Sequence, residues 1–166
     1  MRAVLQRVKQ ASVHVDGELV SQIGPGILAL IGICHDDTPE QMQVLVKKML
    51  GTRLWPDGTR IEDGRLSQPA EGARPWCANV AELDGEILCV SQFTLYAKTA
   101  KGTKPDFHRA MGGETSKQFY EAFLTRLGEQ YAPERIKDGR FGAMMDVSLV
   151  NDGPVTILID SFDKNL

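Results

Sequence analysis

Ser12-Val13-His14-Val15-Asp16-Gly17-Glu18-Leu19-Val20 decides the class of fold. Two extended runs flank an Asp-Gly pair, the dipeptide that a two-residue hairpin selects because both central positions need positive φ. Working back, Ala3 to Val8 alternates apolar and polar residues, so the chain opens as antiparallel sheet. Working forward, a Gly24-Pro25-Gly26 turn leads into Ile27 to Ile33, a continuous apolar run that suits a strand buried on both faces.

Thr38-Pro39-Glu40-Gln41 then supplies an N-cap, a proline at the first helical position and a glutamine three residues after the cap, which predicts a helix start. Met42, Leu45, Val46, Met49 and Leu50 follow at helical spacing, a stripe that packs on the sheet rather than around a cofactor. Residues 56–75 hold three glycines and three prolines among charged groups and predict loop or a short hairpin. Ile87 to Leu95 predicts an interior strand. Thr115 or Ser116 is the expected cap of a second helix, with Phe119, Phe123, Leu124 and Leu127 on one face. Met144 to Val150 and Val155 to Ile159 predict two strands broken by Gly153-Pro154. About seven strands, clustered rather than alternating with the two helices, favour α+β over a doubly wound sheet.

At 166 residues the chain is read as a single domain, 1–166, long enough to bury roughly two thirds of its unfolded surface. With 42% hydrophobic and 25% charged residues it falls in the ordinary globular class. No apolar run approaches the roughly 20 residues of a membrane span, and the charged, alternating N-terminus lacks a secretory h-region. A cytoplasmic location without a membrane partner is expected. Cys34, Cys77 and Cys89 are an odd number without a close pair, against both a disulfide framework and a cysteine-rich zinc site. A net charge of −3 argues against general adhesion to nucleic acid, so any RNA contact is expected to be local. Lys98 to Arg109 is the local candidate, with Lys98, Lys101, Lys104 and Arg109 against Asp106 alone; a solvated loop is the plainer reading of the same run.

The familiar catalytic sets do not assemble. A serine hydrolase needs a histidine beside its nucleophile, and His14, His35 and His108 all stand outside a nucleophile-elbow context. His35-Asp36-Asp37 precedes a helix, where carboxylates favour the macrodipole, so no metal is expected there. Neither a P-loop nor a dinucleotide fingerprint occurs, and no cofactor is expected. Two other stretches stand out: Ser91-Gln92-Phe93-Thr94-Leu95 and Asn151-Asp152-Gly153-Pro154-Val155-Thr156. The second sets glycine beside proline in a strand-like run, forcing a turn where sheet would continue.

Together these segments resemble the SQFTL and NDGPVT signatures of the D-aminoacyl-tRNA deacylase family, without a substitution in either. Met1 to Val8, Lys101 to Phe107 and Gly139 to Ala143 also look like that family, and Trp76 is similar to its eukaryotic members. The resemblance implies a barrel-like pair of sheets with two helices on one side, assembled as a homodimer. It implies hydrolysis of the ester of D-aminoacyl-tRNA, and of glycyl-tRNA, as a proofreading step in translation. Ser91, Gln92, Phe93 and Thr94 would form the catalytic segment, with main-chain N–H groups at Phe93 and Thr94 facing the scissile carbonyl. The substrate's own ribose hydroxyl would assist. Thr94 has no base near it in sequence, so positioning is favoured over nucleophilic attack. Gly153 and Pro154, joined by a cis bond in the family, would reach into the partner subunit's pocket, hold the substrate amino group and exclude L side chains. Phe141 and Met145 would hold the terminal adenine, with core packing as their other reading, and Lys98, Lys101 and Lys104 would meet the tRNA. Two rivals are an animal-type deacylase that clears L-alanine, which departs from both motifs, and a non-catalytic nucleic-acid-binding accessory protein using the basic loop.

Overall fold

The alternation at the start of the chain becomes one long strand, β1 (Arg2–Val15). The structure, a computed structural model, describes residues 1–100 and 102–163. Asp16 and Gly17 take positive φ of 52° and 81°, as the hairpin turn requires, and return the chain as β2 (Glu18–Ile23). Then come β3 (Gly26–Gly32), α1 (Pro39–Gly51), the small hairpin β4 (Ile61–Glu62) and β5 (Arg65–Leu66), β6 (Glu86–Ser91), α2 (Gly113–Gln130), β7 (Ile136–Asp138) and β8 (Asp146–Asp160). On one edge β1 pairs antiparallel with β2 and β3, and on the other with β8. Parallel pairing carries β3 to β6 and β6 to β7. The path thus runs from β2 to β7, and Ser21 Oγ donates to the Asp138 carbonyl at 2.6 Å to draw those ends together. The result is a mixed, barrel-like sheet with both helices packed against it, the expected α+β architecture.

Burial on two faces explains the apolar runs. Ile27, Ala29 and Ile31 of β3, with Ile87 and Cys89 of β6, pack under the helices against Leu45, Met49, Tyr120 and Phe123. The intervening Leu28, Leu88 and Val90 join Val8, Val13 and Ile23 in a second cluster on the other side. Strands buried this way read as continuous hydrophobic segments. Thr38 caps α1, accepting from the Glu40 N–H, while Gln41 accepts from the Thr38 N–H at 3.2 Å; Met42, Leu45, Val46 and Met49 are buried, as the stripe predicts.

Four local expectations are corrected. The strand predicted to Leu95 ends at Ser91, because the chain turns there into a 3₁₀ segment, Phe93–Tyr96. Helix α2 starts at Gly113, capped by Gly112, ahead of the predicted Thr115 or Ser116; the buried stripe begins at Ser116 and continues through Tyr120, Phe123 and Leu127, so the helix must already be wound by then. Gly153-Pro154 does not divide two strands. Sheet continues on both sides, and between Val8↔Asn151 and Gln6↔Thr156 the chain bulges, β8 advancing five residues while β1 advances two. Asp37, finally, is buried and accepts from the Met1 amino group and from the Cys34 N–H at 2.7 Å, a specific pair of donors beyond a helix dipole.

A Cβ on Gly26 would lie 1.9 Å from the Glu86 carbonyl oxygen, in the middle of the parallel β3–β6 pairing. Gly26→Ala is expected to lower the unfolding free energy by about 3 kcal/mol or more, the range for a backbone clash in a core. Gly51→Ala, where nothing lies within 4 Å, should stay within about 0.5 kcal/mol in the same urea titration.

Candidate active site

The first motif is shaped by the absence of a side chain opposite it. After Ser91, the Gln92 N–H still donates to the Ile31 carbonyl at 2.7 Å, and then the chain leaves the sheet. It folds directly over Gly32, where a Cβ would stand 3.0 Å from Leu95 Cβ and 3.3 Å from the Gln92 oxygen. Arg2 fastens the turn from β1: Nη1 donates to the Leu95 carbonyl at 3.0 Å, Nε donates to Asp160 at 2.8 Å, and the guanidinium lies 4.7 Å from the centre of the Tyr96 ring. Burial opposes ionisation of Asp160, but the Arg2 guanidinium and the Phe162 N–H hold its carboxyl below the ordinary value. At the start of such a turn the first N–H groups, those of Phe93 and Thr94, have no acceptor within it. Thr94 Oγ1 accepts from Gln92 Nε2 at 2.5 Å.

Beside this turn opens a cavity of about 320 Å³. Ile31 and Ile33 of the sheet, Ser91, Gln92 and Phe93 of the motif, Phe107 to Gly113 without His108 or Arg109, Ser116 of α2, and the Phe141-Gly142 pair line it. Among these described residues none is titratable, so the cavity offers amides, the hydroxyls of Ser91 and Ser116 and aromatic faces in place of acids and bases. The N-terminus of α2 adds further unpaired amides and its positive dipole end. Phe141 lies 5.5 Å from the Tyr120 ring, whose hydroxyl donates to Asp138 at 2.7 Å. Burial pushes the Asp138 carboxyl up, against the Tyr120 and Gly139 donors. A larger hollow of about 640 Å³ along Lys9, Ser12, Lys137 and Ser148 holds no residue of either motif.

The second motif is held by a ring of bonds around one asparagine. Asn151 Nδ2 donates to the carbonyls of Arg7 and Val155, each at 2.9 Å, and its Oδ1 accepts the Val155 N–H at 3.0 Å. Arg7 Nε donates to the Asp152 carbonyl at 2.8 Å and lies 2.9 Å from its carboxylate, while Nη1 donates to the Leu54 carbonyl. The Gly153–Pro154 bond is cis. Both residues are exposed and line a groove of about 330 Å³ with Arg7, Pro75 and Trp76, separate from the cavity of the first motif.

Residues 4–160 match the model of the D-Tyr-tRNA(Tyr) deacylase family. The chain belongs to that family. It is 51% identical over 164 residues to the D-aminoacyl-tRNA deacylase of Dictyostelium discoideum, covering 99% of this chain and all of the relative. It is 48% identical to the D-aminoacyl-tRNA deacylase of Saccharomyces cerevisiae, covering 97% of this chain and 99% of that one. A solved structure of a c-Myc DNA unwinding element binding protein superposes with a TM-score of 0.85 at 46% identity, covering 96% of this chain and 98% of that one.

Within this deacylase-family fold, Ser91, Gln92, Phe93 and Phe141 come together around one cavity, with Thr94 exposed at its edge. Met145 sits apart, packed with the second core cluster, its sulfur accepting the Arg140 N–H at 3.4 Å. Lys98 and Lys104 are exposed on the loop that ends at the cavity, and Lys101 lies outside the described residues. Sequence reasoning missed Arg2 and Arg7 as the clamps of the two motifs. Their signal was a charged residue at the start, and another near the middle, of an otherwise well-formed alternating strand. It also passed over Phe107, which meets Phe93 edge-on at 5.0 Å, and over the role of Trp76, 53% exposed with a positive φ of 58° beside Gly153-Pro154.

Gly32→Ala is expected to push the Phe93–Tyr96 turn off the sheet. The measurements are urea unfolding, with about 1–3 kcal/mol lost to overpacking, and amide exchange, with faster exchange at Leu95 and Ala97, whose N–H groups close the turn.

Proposed function

We propose that this protein hydrolyses the ester linking a D-amino acid, or glycine, to the terminal ribose of tRNA, as a proofreading enzyme of translation in the cytoplasm. One observation carries the reading: the first motif builds a cavity from main-chain donors and aromatic walls, with no titratable group among the described residues lining it. Such an ester is already activated by its neighbouring ammonium and vicinal hydroxyl. Positioning a water and stabilising the oxyanion then suffices, a task for preorganised amides. The Phe93 and Thr94 N–H groups take the oxyanion, and the substrate's ribose hydroxyl assists the water. Phe141 stacks on the terminal adenine, while Met145, bonded to the Arg140 N–H, supports that segment from behind. Lys98 and Lys104, exposed beside the cavity, meet the RNA backbone.

Chirality enters through the second motif. Gly153 and Pro154 are exposed and absent from the lining of their own protomer's cavity, which supports their insertion into the cavity of a second copy in a homodimer. There their carbonyls hold the substrate ammonium, and an L side chain strikes the main chain while a D side chain points away. Selection is by clash, so D residues of many kinds are accepted.

Incubation with D-tyrosyl-tRNA and L-tyrosyl-tRNA is expected to deplete the D ester alone; equal loss of both, or of neither, overturns the proposal. Thr94→Ala should keep measurable deacylation, since its hydroxyl positions and does not attack, and complete loss with an intact circular dichroism spectrum would reverse that role. Gly153→Ala places a Cβ 1.9 Å from Val155 N and 2.7 Å from Asn151 Oδ1, both within the ring that shapes the motif. It is expected to lose D-over-L selectivity or activity before the same assay registers loss in a Lys104→Ala variant.

A further inference from the structure

Next to the bridge between Lys98 and Asp106 stands a side-chain pair that the proposed hydrolysis does not use. Lys98 and Asp106 exchange both main-chain hydrogen bonds, at 2.8 and 2.9 Å, which makes Asp106 a fixed base. From that base Phe107 meets Phe93 edge-on, and both rings line the cavity. Phe93 is 55% exposed, so this aromatic edge is the cavity's mouth. His108, the next residue after the lining Phe107, has an exposed side chain. Asp106 holds it twice, one carboxylate oxygen accepting the His108 N–H at 2.9 Å and the other lying 2.5 Å from Nδ1. On the far limb the Ala110 N–H donates to the Phe107 carbonyl at 2.9 Å and the His35 N–H to the Arg109 carbonyl at 3.3 Å, so the ring is mounted on fixed main chain.

A carboxylate on Nδ1 sets the ring's orientation and leaves Nε2 as the atom free to meet a ligand; in the imidazolium form that atom donates. Asp106 is engaged by this arrangement, its carboxyl held below the ordinary value first by the His108 N–H and then by the ring. The other described charged residues of the 98–109 segment are Lys98, Lys104 and Arg109, all exposed, with Asp36 lying 3.8 Å from Arg109. An oriented donor among cations at the mouth of a nucleoside-sized cavity suits an RNA phosphate.

We infer that His108 is a phosphate-binding residue, its Nε2 contacting the phosphodiester immediately 5′ of the terminal adenosine. This rests on the proposed function, which seats that adenosine against Phe141; the inference adds that its 5′ phosphate leaves past the Phe93–Phe107 edge. A purely structural role, with Asp106 and His108 only locking the turn, predicts something different. It touches all substrates alike.

The test compares D-tyrosyl-tRNA with D-tyrosyl-adenosine, which carries the same ester and no phosphate. His108→Ala is expected to raise KM for the tRNA about fivefold, the scale of an exposed charged contact, with kcat unchanged and with D-tyrosyl-adenosine hydrolysed as by the parent. The slope of log KM against log salt concentration should fall by about 0.7, one single-strand phosphate contact. His108→Lys, a cation without the Asp106 geometry, should recover most of the affinity. Equal losses on both substrates, or an unchanged KM for the tRNA, overturn the inference. A parent protein inactive on both esters sinks the proposed function itself, an outcome distinct from either.

Discussion

Strand β1 is the constraint on which the rest depends. It is paired along both edges over most of its length, and its two arginines, Arg2 at its start and Arg7 near its middle, each reach one of the two motifs. Arg2 ties the Phe93–Tyr96 turn to the end of β8, and Arg7 ties the Asp152 backbone to Leu54. The motifs are far apart in sequence, but each is referred to the same rigid element. Backbone groups can serve as recognition surfaces only when held in this way, because an amide has no side-chain torsion with which to adjust.

That requirement explains where the unusual geometry falls. Gly32 lets the first motif fold onto the sheet at van der Waals contact, and Gly153 leaves room for Asn151 to bond the main chain on both sides of the bulge. A methyl group at Gly32 would crowd Leu95 at 3.0 Å, and one at Gly153 would overlap the Val155 nitrogen at 1.9 Å. The cavity that results is lined by amides and rings. Ionisable groups with shifted equilibria lie elsewhere, as with Asp138 under Tyr120 and Asp160 beside Arg2, where they hold strands and helices together. The second motif opens onto its own groove with Trp76, which shares no lining residue with that cavity.

Much of this was legible in the residues alone, and for identifiable reasons. The Asp16-Gly17 turn, the Thr38 capping box and the Met42 to Met49 stripe are local devices whose partners lie within a few residues, and each formed as read. The end of β6 was not legible: Ser91 to Leu95 is good strand sequence, and it bends because of a glycine on a neighbouring strand some sixty residues earlier. The start of α2 was misplaced for a related reason, since hydroxyl residues signal caps whereas here a glycine pair makes the turn and Ser116 faces the cavity. Asp37 read as a helix-dipole carboxylate and proved to be a buried acceptor for Met1 and Cys34.

The sequence by itself determined the class of fold and the family, because hydrophobic period, turn residues and unbroken motifs act over short spans of chain. Tertiary structure alone decided which main-chain groups those segments present. Arg2 and Arg7, Gly32, Phe107 and the Asn151 ring exert their effect through contacts between strands distant in sequence, and only pairing in three dimensions brings such contacts into being.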